Sequence, residues 1–116
     1  MRNFLKIILV ISVLCGSCKE SSIDIRVENK TAYEIRGVSI YVQSVGYKIE
    51  KIAALGNQTL QVPLNAIVLN KHDFHIEASY VNKEGKMISG LDYNDLSGTP
   101  RPKYTVTLHE QKVIVR

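Results

Sequence analysis

The sequence predicts an all-β domain, an antiparallel sandwich of about seven or eight strands. Apolar and polar residues alternate with a period of two through most of the chain from Ile23 onward, which is typical of strands with one buried face. Turn-forming residues separate the alternating segments at short intervals. No segment carries the apolar stripe of an amphipathic helix. These three observations favour two stacked sheets over any helical or mixed fold.

Five segments show the alternation clearly, and each predicts one strand. Three shorter segments, 47–52, 86–91 and 112–115, are also predicted as strands. In the five clear segments, the side chains predicted to face the core are Ile23, Ile25 and Val27; Val38, Ile40 and Val42; Leu60, Val62 and Leu64; Phe74, Ile76, Ala78 and Tyr80; and Tyr104, Val106 and Leu108.

Turns are predicted at 29–31, 36–37, 56–57 and 82–85 and at Gly46, because Gly and Asn accept backbone conformations that most residues avoid. Proline cannot donate to a strand ladder, so Pro63 is predicted at a strand end or a sheet edge. The segment 65–73 fits either a helical turn or an extended connection.

Residues 1–17 are predicted to be a signal peptide outside the fold. Arg2 and Lys6 supply positive charge, the run 5–14 is mostly apolar, and Gly16 and Ser17 are small. The apolar run is about half of the roughly 20 residues that span a bilayer as a helix. We therefore expect a signal peptide at 1–17, a lipidated cysteine and short tether at 18–22, and one sandwich domain at 23–116.

The end of this segment, Leu14-Cys15-Gly16-Ser17-Cys18, resembles a bacterial lipobox, with Cys15 where the family usually has leucine. The resemblance implies cleavage before Cys18 and acylation of that residue. Cys18-Lys19-Glu20 is similar to the surface-export signal of Bacteroidota lipoproteins. The implied location is the bacterial cell envelope, lipid-anchored in the outer membrane at its periplasmic face or at the cell surface.

The predicted strand count resembles that of immunoglobulin-like or fibronectin-like sandwiches. The segment 55–60 resembles the turn and strand of many bacterial immunoglobulin-like domains. The antibody hallmarks are missing, since the chain has no Trp and no Cys after Cys18. A transthyretin-like or other eight-stranded sandwich is the alternative.

Charge and motifs argue against catalysis and nucleic-acid binding. The net charge of +4 falls by two when Arg2 and Lys6 are removed with the signal peptide. The remaining basic residues are dispersed, whereas a nucleic-acid surface needs a concentrated patch. No phosphate-binding loop, nucleophile motif or paired carboxylates are recognisable, with Glu77, Glu84, Asp92 and Asp95 considered as the acids. We expect no cofactor, no enzyme activity and no nucleic-acid partner.

Two segments contain residue types that occur in metal sites. His72 and His75 are three residues apart at a strand start, so they are predicted to point to opposite faces. The segment 92–98 has oxygen ligands but carries Ser97 where a calcium loop of the EF-hand type needs glycine. We expect solvent-facing histidines, a turn rich in Asp and Asn, and no metal.

The predicted function is a non-catalytic binding or accessory module whose partner is another envelope protein. Tyr33, Lys83, Tyr93 and Arg101 are the candidate residues of its binding loops. With consecutive strands antiparallel, Tyr33 and Lys83 are predicted at the end far from the anchor, and the loop 92–103 at the end near it. A structural or assembly component of an envelope complex is the first alternative.

Two further alternatives remain. A carbohydrate-binding protein would use a small platform made from Tyr33, Tyr41, Tyr47 and Tyr93. An inhibitor or immunity-type protein is the other: the segments 29–33 and 101–104 resemble two loops of the chagasin-like cysteine-protease inhibitors. The first segment lacks the proline and glycine of that family, and a lysine interrupts the second.

Overall fold

The structure, a computed structural model, describes residues 21–69, 73–94 and 100–116. Its strands form two four-stranded sheets that pack face to face as an immunoglobulin-like sandwich, which confirms the predicted fold class. The strands are β1 (Ser22–Asn29), β2 (Ile35–Val42), β3 (Val45–Ile52), β4 (Asn57–Pro63), β5 (Phe74–Val81), β6 (Met87–Asn94), β7 (Lys103–Leu108) and β8 (Val113–Val115). A 3-10 helix at Leu64–Ala66 follows β4.

The first sheet has the strand order β4-β1-β7-β8, and the second has the order β3-β2-β5-β6. Every pair is antiparallel except β1 with β7, which run parallel with Asp24 opposite Lys103. The predicted antiparallel sandwich is therefore observed with this one parallel pair in it. Successive strands alternate in direction, so two odd-numbered strands that become neighbours must be parallel.

The core lies between the sheets and contains the side chains that the alternation selects. All predicted inward residues are buried except Leu60 and Leu64, which are half-buried against the core. Pro63 ends the edge strand β4, as predicted. Phe74 of the second sheet and Tyr104 of the first join the layers, with ring centres 5.6 Å apart. Burial of these side chains is the main source of stability.

The turn between β2 and β3 lies at Gln43 and Ser44, so the prediction of a turn at Gly46 is wrong. Both turn residues have positive φ, 49° and 73°, which suits the twist of a two-residue hairpin. The Gln43 side chain accepts a hydrogen bond from the His75 N–H (2.9 Å) and donates to Val68 O (3.1 Å). These contacts with distant segments hold a turn that lacks glycine.

Residues 36–37 lie within β2, so the predicted turn there is also wrong. The ladder pairs Arg36 with Lys51 and Val38 with Ile49, and Gly37 lies between these pairs with φ +70°. This left-handed residue shifts the alternation by one position. Consequently Ile35 and Val38, three residues apart, are both buried.

β6 is longer than predicted because its pairing with β5 continues to Phe74 opposite Asn94. Asp92 and Tyr93 are therefore strand residues and not loop residues. This corrects the prediction of a binding loop at Tyr93 and shortens the loop predicted at 92–103. Residues 95–99, with most of the considered calcium segment, lie outside the described residues.

The loops gather at two ends of the sandwich, grouped as strand alternation predicts. We call the end where β1 begins the near end; it contains Ser21 and residues 43–44, 64–69 and 100–102. The far end contains residues 30–34, 53–56, 82–86 and 109–112. Within the described ranges, no helix is long and apolar enough to cross a membrane.

Candidate functional site

Two of the four predicted binding residues, Tyr33 and Lys83, meet at the far end. The Lys83 ammonium nitrogen lies 4.8 Å from the centre of the Tyr33 ring, which is within the range of a cation–π contact. The Tyr33 hydroxyl donates a 3.3 Å hydrogen bond to Glu110 Oε2. Tyr33 is half-buried and packs against the core. This far-end cluster of Tyr33, Lys83 and Glu110 therefore presents one aromatic ring with charged groups of both signs.

Asn29 holds the loops beneath this cluster. It is 1% exposed, and its amide donates to the backbone oxygens of Tyr33 (2.8 Å), Ile52 (3.1 Å) and Ala53 (3.0 Å). Its side-chain oxygen accepts from the N–H and the hydroxyl of Thr31. One buried side chain thus ties the loop after β1 to the loop after β3. The sequence pattern predicts Asn29 only as a turn residue.

Asn82 does the same for the other two far-end turns. Its side-chain oxygen accepts from the backbone N–H groups of Glu84 and Lys86, both at 3.0 Å. Its amide donates to the Glu110 backbone oxygen at 3.2 Å. The turn that carries Lys83 is therefore fixed to the turn that carries Glu110, and the far-end cluster has a rigid base.

Tyr80 lies under the cluster with its ring in the core. Its hydroxyl donates to the backbone oxygen of His109. Burial raises the pKa of Tyr80 to about 12, and Tyr33 and Glu110 add to the shift. Tyr80 is therefore protonated at any ordinary pH and acts as a structural hydrogen-bond donor rather than as an acid or a base.

The other two predicted binding residues, Tyr93 and Arg101, lie at the near end. The Tyr93 hydroxyl donates a 2.6 Å hydrogen bond to Asp73 Oδ1. The Arg101 guanidinium stacks on the Tyr104 ring, 4.4 Å from its centre, and lies 3.6 Å from the Asp92 carboxylate. The four predicted residues thus occupy opposite ends and do not form one site.

A depression of about 330 Å³ lies beside Tyr93. It is open to solvent on one side, unlike the enclosed clefts that bury small ligands. His75 lies beside Tyr93 as its cross-strand neighbour, with ring centres 6.4 Å apart. Its lining residues are Gln43, Ser44, Val68, Asp73, His75 and Tyr93.

The structure does not bring together the residues considered for the protease-inhibitor alternative or for the carbohydrate-binding alternative on one surface. The chagasin-like segments separate, since 29–33 lies at the far end and 101–104 at the near end. Of the tyrosines considered for carbohydrate, Tyr33 is at the far end and Tyr47 packs against the core. Tyr41 and Tyr93 share a sheet face but lie on strands that are not neighbours. Among the described residues, no two exposed tyrosines form a flat pair.

Within the described residues, no group of three or more His, Cys, Asp or Glu side chains is placed to hold a metal ion. His72 and Cys18 lie outside these residues. Glu77 and Glu84 are exposed on β5 and in the following turn, whereas Asp92 is held by Arg101. No paired carboxylates with a defined separation around a cleft are found in this part of the chain.

The main feature that the sequence reasoning missed is an apolar surface on the outer side of the second sheet. Cross-strand neighbours place Val81 beside Met87, and Glu77 between Tyr41 and Leu91. Serines occupy the row between these two groups. We call the following residues the apolar face, with their exposed fractions: Tyr41 (44%), Val81 (55%), Met87 (68%), Leu91 (59%) and Tyr93 (58%).

One signal for this surface was present in the sequence. In Met87-Ile88-Ser89-Gly90-Leu91, large apolar residues occupy both alternating positions, so one set must be exposed if the other is buried. Ile88 is the buried one, at 8% exposure. The alternation alone cannot say whether another element covers the outer side of the second sheet. The structure shows that none of the described residues covers it.

β6 is also an edge strand. Asn82 N–H donates to Lys86 O, and Gln43 N–H donates to His75 O. Hydrogen-bonded and non-bonded residue pairs alternate along an antiparallel ladder. Each of the two bonds therefore leads to the same assignment, in which the backbone groups of residues 88, 90 and 92 form the hydrogen bonds to β5. The backbone groups of Met87, Ser89 and Leu91 consequently point away from the sheet, beneath the exposed side chains of the apolar face.

No family model matches the chain, and no curated protein matches it. An NMR structure of a protein from Eubacterium rectale has a similar fold, with a TM-score of 0.55. The match covers 83% of this chain and 87% of that chain, with 10% sequence identity. At this identity the likeness concerns the fold alone.

Proposed function

We propose that the protein is a lipid-anchored, non-catalytic module of the bacterial cell envelope that binds another envelope protein. The lipobox resemblance at Cys18 supports the anchor, and the similarity of Cys18-Lys19-Glu20 to the Bacteroidota export signal supports a location in the outer membrane, at the periplasmic face or the surface. The observation that carries the binding role is the apolar face. Its partner is a protein surface with apolar side chains at its centre.

The two outer faces of the sandwich differ in a way that singles out one of them. The first sheet presents charged and hydroxyl side chains, with Asp24, Arg26 and Glu28 on β1 and Thr105 on β7. The second sheet presents the apolar face. Two groups of exposed large apolar side chains lie on this side of the small domain, with a row of serines between them and Glu77 within one of them. Exposed apolar side chains grouped in this way on one side of a domain mark a candidate protein interface.

The far-end cluster supports the same function less strongly. Tyr33 already contacts Lys83 and Glu110 within the chain, so a partner gains little by ordering it. Exposed side chains of the apolar face offer apolar area that binding removes from water. We therefore assign the main contact to the second sheet.

Site-specific photo-crosslinking in the native cell tests this assignment. A photoreactive residue at Leu91 should give one defined crosslinked protein, whereas one at Gln61, exposed on the opposite sheet, should not. Leu91→Asp should weaken binding of the identified partner about tenfold or more, as loss of a central interface residue does. Crosslinks formed from Gln61 or Lys83 but not from Leu91 would show that the apolar face is not the contact.

The anchor is tested separately by mass spectrometry of the mature protein. We expect a chain that begins at an acylated Cys18. A chain that retains Met1, or a Cys18 without acyl chains, would contradict the envelope anchor whatever the crosslinking result.

A permanent assembly role is a second candidate, and it is favoured by the outer edge of β6, which pairs with no strand among the described residues. Among the four edge strands, β3 carries the exposed charges Lys48, Glu50 and Lys51, β4 ends in Pro63, and β8 has three residues. β6 has eight residues and no Lys, Arg or Pro. Edges without such features accept an added strand from a partner.

Ser89→Pro separates the two candidates. The Ser89 N–H points away from β5, so proline removes a group that an added strand needs and leaves the ladder to β5 in place. Assembly by strand addition predicts loss of the complex in Ser89→Pro. Binding through side chains of the apolar face predicts that Ser89→Pro keeps the complex and Leu91→Asp loses it.

A further inference from the structure

We propose that the near end of the sandwich rests on the lipid surface and that Val68 and Leu69 enter its interfacial layer. The inference deepens the proposed function and rests on acylation at Cys18. It names the lipid bilayer itself as the ligand of this end of the domain.

The tether is short and ends at a fixed point. The Leu64 N–H donates a 3.0 Å hydrogen bond to Ser21 O, which holds the start of the domain against the 3-10 helix at Leu64–Ala66. Only Lys19 and Glu20 separate Ser21 from Cys18. Three extended residue steps span about 10 Å. The near end is therefore held within about 10 Å of the acylated residue.

The same end carries the exposed apolar side chains that such contact needs. Val68 is 77% exposed, the highest value among the large apolar side chains described, and Leu69 is 39% exposed. The backbone is held at the first of these residues: Ile67 before Val68 is buried, and Val68 O accepts a 3.1 Å hydrogen bond from Gln43 Nε2. The valine is thus presented on a held backbone.

Charge plays a minor part in this contact. Arg101 and Lys103 are exposed at the near end, but Asp92 lies 3.6 Å from the Arg101 guanidinium and Asp73 lies close by in the depression beside Tyr93. Because cations and acids are mixed here, the inference attributes the contact to the apolar loop. It predicts little dependence on salt or on anionic lipid.

The far end supplies a matched control in Leu55. It is 73% exposed, nearly the same as Val68, and its N–H donates to Thr31 O, so its loop is also held. Leu55 differs from Val68 in lying at the opposite end of the strands. A general tendency of exposed aliphatic side chains to meet lipid would affect both residues.

The test uses the acylated protein reconstituted in phosphatidylethanolamine–phosphatidylglycerol vesicles. Val68→Cys and Leu55→Cys carry the same environment-sensitive dye, and lipids brominated near the glycerol backbone quench it. We expect quenching at position 68 to exceed that at position 55 several-fold, with similar values at low and high salt. Equal quenching at the two positions, or stronger quenching at position 55, would overturn the inference.

Protease cutting gives a second readout without a dye. In the vesicle-bound form, trypsin should cut after Lys103 more slowly than after Lys83, and a Val68→Asp, Leu69→Asp variant should lose part of this protection. Faster cutting after Lys103 in the bound form would contradict the inference. The mass of the purified protein separates the two proposals: an acylated chain without near-end contact refutes only the inference, whereas an unacylated Cys18 refutes the anchor as well.

Discussion

Single buried polar side chains organise the far end of this molecule. Asn29 and Asn82 each satisfy backbone groups of two different loops or turns. Such groups are costly to leave unpaired inside a protein, about 1–3 kcal/mol each. These residues therefore stabilise the fold more than their position in predicted turns suggests.

We expect Asn29→Ala to be among the most destabilising single changes. It removes donors from three backbone oxygens and an acceptor from Thr31, so the free energy of unfolding should fall by about 3 kcal/mol. Urea denaturation measures this, with the exposed Asn57 changed to Ala as the control, for which about 0.5 kcal/mol or less is expected. Equal effects of the two substitutions would contradict the role assigned to Asn29.

Tyr80 should make stability sensitive to alkaline pH. Burial raises its folded-state pKa to about 12, above the value of about 10 in an unfolded chain. A raised pKa stabilises the fold fully below pH 10, and this contribution is lost as the pH rises through 12. Stability measured between pH 9 and 12 should fall for the natural chain and fall less for Tyr80→Phe. Parallel pH curves for the two proteins would contradict this assignment.

At the scale of elements, close packing explains why β6 carries a glycine. Gly90 faces inward, and a Cβ atom built on it would lie 2.1 Å from the backbone oxygen of Val113. The end strand of the first sheet thus lies directly against the edge strand of the second. This contact closes one side of the sandwich.

Gly90→Ala should therefore cost about 1–3 kcal/mol, the usual cost of overpacking, since the atom that the new Cβ would meet belongs to the backbone of Val113 and not to a flexible side chain. Ser89→Ala, at the adjacent exposed position, should change stability by about 0.5 kcal/mol or less. Thermal or urea unfolding of the two variants measures the difference. Unchanged stability in Gly90→Ala would show that β8 does not pack against β6 in this way.

At the scale of the whole molecule, the core alone is expected to hold the fold. A large set of apolar side chains is buried between the sheets, and the described residues contain no group of three metal-binding side chains. The domain from Ile23 onward has no cysteine. Packing between the sheets and strand pairing within them hold the sandwich together.

We expect thermal unfolding curves recorded with and without a chelator to superimpose, and a reducing agent to leave the midpoint unchanged. A large fall in the midpoint on chelation would point to a metal at His72 and His75 or in the segment 92–98. Differential scanning calorimetry of the mature protein makes the measurement.

The sequence by itself determined the fold class, most of the strands and nearly all of the core. These follow from local rules: side chains alternate along a strand with a period of two, and Ile23, Val38 or Phe74 can be assigned to the buried face without knowing the strand's neighbours. The near and far grouping of the loops also followed, because it needs only strands that alternate in direction.

The tertiary structure decided what depends on contacts between distant segments. The turn at Gln43 and Ser44 is held by the loop before β5, so no local turn signal marks it. Whether Leu91 or Ile88 faces the core depends on where the first sheet packs. The separation of Tyr33 and Lys83 from Tyr93 and Arg101, and the apolar face itself, follow from strand order, which side-chain periodicity does not encode.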